Sequence, residues 1–375
     1  LIGIDGNEAN VPNRVGSNQY AFGVLWGIYH VRPTDCQFII YLKQPPLADL
    51  PQATSWWQYK VIPSKFAWTQ WRLPLELFLG RPRPQVLYTP GHYAPRISPI
   101  PVIVSIMDVA FLKLPKLFLR FKRGAKQLAD WTKYSVHKAT HIIAISEHTK
   151  QDVVECYQID PQKITVAYPG VDTSAFKMPT NDKKQEVKNT YQLPDKYVVH
   201  VGTLQPRKNI KRLITAFENL PNKHKNCHLV LVGQIGWMAE DIMEAIAKSP
   251  KHDRIHHLGY VKQEDIPAII ASAEALVLVG LYEGFGMPPA EGIACGTIPI
   301  VSNNSSLPEV VGEAGIKVDP YSVASITHGI IAALELTTEQ KINRISSGQK
   351  HIMKFNWDDT ARIILEVILK VQKTV

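Results

Sequence analysis

The chain has 375 residues, 45% of them hydrophobic and 20% charged, with a net charge of +9 and a sequence pI near 9.2. This composition excludes a disordered protein, and the length exceeds the roughly 250–300 residues at which one hydrophobic core stops growing, so two domains are expected. Four scattered cysteines (Cys36, Cys156, Cys227 and Cys295) form no C-x-x-C pair, which excludes a zinc ribbon or a disulfide framework, and no apolar run reaches the about 18 residues of a membrane span.

Short apolar, β-branched runs alternate with amphipathic stretches, the pattern of a parallel sheet covered by helices. The first half predicts strands at residues 2–5, 37–41, 85–88, 102–106, 141–145 and 163–166, and helices at 17–30, 117–137 and 147–156. The opening Leu1-Ile2-Gly3-Ile4-Asp5 reads as a core strand and not as a signal peptide. Between 111 and 138, Lys113, Lys116, Arg120, Lys122, Arg123, Lys126, Lys133 and Lys138 interleave with Leu117, Phe118, Phe121 and Trp131. Two readings fit: a helix on anionic lipid, or, preferred, a solvated helix face over an ordinary core stripe. Residues 178–189 are polar without core periodicity and read as a linker. The strand pattern then restarts at 197–202, 228–232, 255–258, 275–279 and 298–301, with helices at 209–220, 237–248, 263–271 and 288–294 and a mostly helical tail. Domains are therefore placed at 1–180 and 190–355, with 356–375 as a terminal helix.

The chemistry concentrates in Leu281-Tyr282-Glu283-Gly284-Phe285-Gly286-Met287-Pro288-Pro289-Ala290-Glu291. It follows an apolar strand and opens a helix with prolines suited to a first turn. The glycines let backbone N–H groups approach a ligand, and a helix N-terminus after such a loop attracts a diphosphate. Glu283 and Glu291 repel phosphate unless they accept hydrogen bonds from hydroxyl-rich groups on either side of it, a sugar and a ribose.

With this E-x7-E spacing and the following Cys295-Gly296-Thr297, the segment resembles the family 4 retaining glycosyltransferases. So do Gly202-Thr203-Leu204-Gln205-Pro206-Arg207-Lys208-Asn209, Leu307-Pro308-Glu309-Val310, Ala144-Ile145-Ser146-Glu147 and Tyr168-Pro169-Gly170-Val171-Asp172. The resemblance implies the GT-B architecture, two Rossmann-like doubly wound parallel-sheet domains facing a cleft, with an acceptor-side first domain and a donor-binding second. It also implies that the terminal helix crosses back to the first domain. Arg207 and Lys208 would neutralise the donor diphosphate, Glu283 would contact the transferred sugar, and Glu291 would hold the ribose. Gly16, Gly202, Tyr260, Gly284, Phe285, Gly286 and Met287 complete the implied donor contacts, with Tyr20 near sugar or acceptor. A nucleotide-sugar such as GDP-mannose or a UDP-hexose would be the donor, and a glycan or lipid-linked saccharide the acceptor. The scattered, unpaired cysteines fit a reducing cytoplasm, and the basic helix with a lipid-linked acceptor would make the protein peripheral at an anionic inner membrane face. No metal or other cofactor is implied, and the adjacent His256 and His257 of a strand point to opposite faces. Nucleic acid is set aside for want of any basic, aromatic-interleaved motif.

One departure stands out. Many family members carry His-Asp after the strand 102–106, and this chain has Met107-Asp108. Methionine cannot exchange a proton. His92, after another strand, is then a candidate for contact with sugar or acceptor, and Asp108 for positioning. The alternative function is a catalytically impaired nucleotide-sugar or glycan-binding protein of the same fold.

Overall fold

The computed structural model describes residues 1–64 and 66–373, with the side chains of 119–123 and 125 left out. It divides into two compact units, Leu1–Gly170 with Phe355–Val375, and Val171–Lys354.

The first unit is built on seven parallel strands: β1 (Ile2–Asp5), β2 (Phe38–Leu42), β3 (Trp57–Val61), β4 (Val86–Thr89), β5 (Val102–Ile106), β6 (His141–Ala144) and β7 (Ile164–Val166). Their order is β3-β2-β1-β4-β5-β6-β7. Strand β1 pairs on one side with β2 (Ile2 opposite Phe38) and on the other with β4 (Ile2 opposite Val86). The order therefore reverses at β1/β4, and the loops leaving the carboxyl ends of these two strands flank the position where doubly wound sheets bind ligands. Those loops carry Gly16 and His92.

The terminal helix Trp357–Lys373 packs on the helix Ser17–Val31. Close approach requires glycine there: a Cβ on Gly23 would stand 2.3 Å from the Trp357 ring, and one on Gly27 2.4 Å from the Trp357 carbonyl oxygen. Gly170 is pressed against the same residue, its would-be Cβ 2.4 Å from the Trp357 nitrogen.

The second unit repeats the plan with β8 (Tyr197–Val201), β9 (His228–Val232), β10 (Ile255–Gly259), β11 (Ala275–Leu278), β12 (Pro299–Ser302) and β13 (Ile316–Val318), ordered β10-β9-β8-β11-β12-β13. Here the reversal falls at β8/β11, where Val198 pairs with Ala275. The inner strands β8, β9, β11 and β12 are buried on both faces because helices cover both, as expected of a parallel sheet.

Three features differ from the sequence expectation. Strand β3 was missed because its residues are mostly half-exposed at a sheet edge, and β13 because it spans only three residues. The presumed linker is largely a helix, Asn181–Tyr191, which belongs to the second unit. Thr180 caps it through a bond from the Lys183 amide, and Val187 is its buried residue, so no apolar stripe marks it. The division between units falls at Gly170, earlier than residue 180. In the basic segment, Arg120, Phe121, Lys122 and Arg123 lie outside the described side chains. Of the remainder, Phe118 and Leu128 pack on the core, and Lys113 bonds Asp152 and Glu155 at 2.6 and 2.9 Å. The described part is thus a solvated face over a core stripe. Among the described residues no helix is long and apolar enough to cross a membrane.

Candidate functional site

In the second unit the loops after β8 and β11 meet at Glu283. This carboxylate is 5% exposed, and Lys208 Nζ donates to both its oxygens at 2.8 and 3.0 Å. Arg207 Nη1 donates to Oε2 at 3.3 Å and to the Tyr282 carbonyl at 2.8 Å. Burial opposes ionisation of Glu283, but the charges of Lys208 and Arg207 overcome it and hold the carboxyl below its ordinary value. Gly280 makes room for this group, since a Cβ there would stand 2.8 Å from Glu283 Oε1.

The loops are fixed from behind. Asn209, in the left-handed region at φ 62°, donates to the carbonyls of Val279 at 3.0 Å and Pro320 at 2.7 Å, and the Leu281 amide donates to Arg207 O at 2.8 Å. Ser305 Oγ accepts from the Glu283 amide at 3.1 Å. Ser306 shares its hydroxyl proton between the carbonyls of Glu283 and Phe285, at 2.8 and 2.7 Å. Gly286 then enters the helix Met287–Ala294 at φ 106°, where no side chain caps the N-terminus. A Cβ at 286 would meet Leu307 Cδ2 at 2.5 Å. Glycine is required at this position by both conformation and space.

Glu291 lies on that helix, half-buried. Burial, and secondarily the charge of Asp172, push its carboxyl up to about 8. In this environment the acid stays largely protonated at neutral pH and can donate as well as accept a hydrogen bond. Met287 is half-buried at the helix start, and Gly284 and Phe285 are buried in the loop. Tyr260 is 62% exposed after β10. His256 and His257 take different partners, His228 Nδ1 at 2.9 Å and the Gly233 carbonyl at 2.9 Å.

A residue that the sequence reading passed over is His200, fully buried in β8. Its Nδ1 lies 3.0 Å from the Val277 carbonyl, which makes Nδ1 the protonated nitrogen, and Nε2 has no partner. Nε2 faces Gly202 (φ 149°), whose would-be Cβ would lie 3.5 Å from it and 3.7 Å from Lys208 Cε. Burial and the Lys208 charge push the imidazole down to about 4, so it is neutral. The available signal was a lone histidine inside the apolar run Tyr197-Val198-Val199-His200-Val201.

In the first unit Gly16 caps the helix Ser17–Val31 in the left-handed region at φ 54°, with open space where a Cβ would stand. Ser17 is the first helical residue and donates to Glu8 Oε2 at 3.3 Å. Tyr20 is buried, its hydroxyl 3.3 Å from Ser105 Oγ, which also bonds Tyr88 at 2.7 Å. The Tyr20 phenol is thus engaged within the core. Met107 is likewise buried, at 7% exposure. Asp108 accepts from the Ala110 amide at 3.0 Å and so caps the following turn. His92 is half-buried with Nδ1 enclosed and unpartnered. Burial lowers its pKa, and the nearby Asp108 charge works in the opposite direction. The Asp108 charge thus acts on His92 at the carboxyl ends of β4 and β5.

Two doubly wound parallel sheets, each reversing order beside its first strand, define the GT-B class of protein. Solved structures agree. Sucrose-phosphate synthase from Thermosynechococcus elongatus superposes with a TM-score of 0.78 at 15% identity over 100% of this chain and 99% of that one. Anabaena HepE, solved in complex with UDP-glucose, does so at 0.74 and 17% over 98% and 99%. Two family models divide the chain between them: Glycosyltransferase Family 4 over residues 29–175, and Glycosyl transferases group 1 over residues 181–351. The chain belongs to the group 1, family 4 glycosyltransferases. It is 30% identical to O-antigen chain mannosyltransferase B of Escherichia coli over 228 residues, 60% of this chain and 59% of that protein. It is 26% identical to O-antigen chain mannosyltransferase RfbU of Salmonella typhimurium over 232 residues, 62% and 60%. The matches thus span about three fifths of these relatives.

Proposed function

We propose that this protein transfers a mannosyl group from GDP-mannose, with retention of configuration, onto a growing glycan or lipid-linked saccharide. The observation that carries the reading is the buried triad Arg207, Lys208 and Glu283 at the β8/β11 reversal. Two cations held at one carboxylate are a preorganised site for diphosphate charge, which grows as the sugar departs. Without donor, Glu283 neutralises them. With donor bound, the phosphates take over the cations, and the carboxylate is released to accept hydrogen bonds from sugar hydroxyls. Glu291, held protonated, suits the ribose diol, and the uncapped start of the helix Met287–Ala294 suits the phosphates. The mannose assignment rests on the names of the two relatives above.

Retention without a protein base fits front-face attack, in which the leaving phosphate oxygen takes the acceptor proton, so Met107 does not preclude turnover. The binding-only alternative has little in its favour, because Arg207 and Lys208 are both present and held at Glu283. The reading is tested by incubating the protein with GDP-mannose and mannan oligosaccharides and recording the anomeric configuration by proton NMR. An α-linked product supports it. A β-linked product refutes retention, and transfer only from UDP-hexoses refutes the donor.

A further inference from the structure

His200 is fully buried in β8, one strand away from the Val277 carbonyl of β11 that its Nδ1 reaches at 3.0 Å. A carbonyl only accepts, so the ring proton sits on Nδ1 and Nε2 carries a lone pair. Nε2 is enclosed and has no hydrogen-bond partner among the described residues. A buried acceptor without a donor is costly and rare, and a catalytic site is one of the few places that retains one. Packing and the tie to β11 account for the ring and for Nδ1, but not for Nε2.

The surroundings of Nε2 identify the donor. It borders the same gap as the Lys208 side chain, beside Gly202 at φ 149°. A Cβ on Gly202 would stand 3.5 Å from Nε2, 3.7 Å from Lys208 Cε and 3.9 Å from Lys208 Nζ, so residue 202 adds no side chain to that gap. Burial, then the Lys208 charge, push the imidazole down to about 4, against the pull of the Glu283 charge, so Nε2 remains an acceptor at neutral pH. A phosphate oxygen is an acceptor too, and the lone pair can serve a diphosphate only through an N–H or O–H placed between them. Lys208 brings three N–H donors to this place. Without donor its Nζ is turned to both Glu283 oxygens, at 2.8 and 3.0 Å, while Arg207 is turned to Glu283 and to the Tyr282 carbonyl.

We propose that His200 is a positioning residue for Lys208: when a donor diphosphate draws the ammonium off Glu283, Nε2 accepts one of its N–H groups and aims the others at the phosphates. The inference rests on the donor reading above and adds to it a second seat for the lysine. Glu283 holds Lys208 in the free protein, and His200 holds it in the loaded one.

The test compares two substitutions by calorimetric titration with GDP and UDP and by steady-state transfer from GDP-mannose to mannan oligosaccharides. His200→Asn keeps a donor at the Nδ1 position and removes the acceptor at Nε2, whereas His200→Gln keeps an acceptor at Nε2 and gives up the bond to Val277. Because each sacrifices a different nitrogen, instability cannot imitate the expected pattern. His200→Asn should weaken nucleoside-diphosphate binding about tenfold and lower kcat, and His200→Gln should stay within about threefold of wild type even where its melting midpoint is lower. Adding His200→Asn to Lys208→Ala should cost no further affinity, because the lysine through which His200 acts is gone. The reverse ranking, with affinity following the melting midpoint, would show that only the Val277 bond matters and overturns the proposal. A full further loss in the Lys208→Ala background overturns it as well. So does unchanged diphosphate affinity with a raised KM for GDP-mannose, which would put Nε2 on a sugar hydroxyl. If the wild type binds neither GDP nor UDP, the donor reading itself falls, and this inference with it.

Discussion

Replacing Glu283 with glutamine should tighten nucleoside-diphosphate binding while nearly abolishing turnover. In the free protein Lys208 is committed to both Glu283 oxygens at 2.8 and 3.0 Å, and Arg207 to one at 3.3 Å. A diphosphate must draw these cations away and settle near the remaining carboxylate charge. Two unit charges about 6 Å apart at an effective dielectric of ~20 repel by about 3 kcal/mol. Rearrangement and counter-ions reduce this, leaving a gain of about 1–2 kcal/mol, or about five- to thirtyfold in affinity, when the carboxylate is neutralised. Glutamine keeps the shape but accepts only weakly from sugar hydroxyls, so turnover should fall by about a hundredfold or more. Isothermal titration with GDP and a coupled assay for GDP release measure the two effects on one preparation. Weaker GDP binding with retained turnover would refute the competition that we read from the triad.

Glu291 makes stability depend on pH. Its folded value of about 8 lies above the ordinary 4.5 of a glutamate, so the folded state binds the extra proton. Its contribution is fully present below 4.5 and is lost as pH rises through 8. Glu291→Gln should flatten urea-denaturation stability across that window, and a parallel decline in both proteins would contradict the assignment. Gly286→Ala places a Cβ 2.5 Å from Leu307 at φ 106°, and the midpoint of thermal melting should drop by an amount equivalent to about 1–3 kcal/mol. His200→Phe removes the bond to the Val277 carbonyl and should cost about 1–3 kcal/mol in denaturant titration, whereas His200→Asn, which preserves a donor at the Nδ1 position, should cost less.

The architecture was readable because parallel strands buried on both faces are near-continuous apolar runs, as in Val102–Ile106 and His228–Val232. Elements without that signature escaped: β3, the three-residue β13, and the helix Asn181–Tyr191, which is held by its cap and by Val187. At the site, the motif spacing brought out Glu283, Arg207 and Lys208, and these three do meet. It could not show that the Tyr20 hydroxyl is engaged by Ser105, because that contact joins residues 85 positions apart. It also passed over His200, whose role depends on β11 supplying the Val277 carbonyl and on the Lys208 side chain reaching back over Gly202.

The most direct test of the central claim is calorimetric titration of wild type and an Arg207→Ala, Lys208→Ala double variant with GDP, UDP and ADP in metal-free buffer. The account predicts selective binding of GDP by the wild type and a loss of at least about a hundredfold in the double variant, consistent with removing two charge-assisted contacts. Equal binding by both proteins, or no nucleotide bound by the wild type, would contradict it.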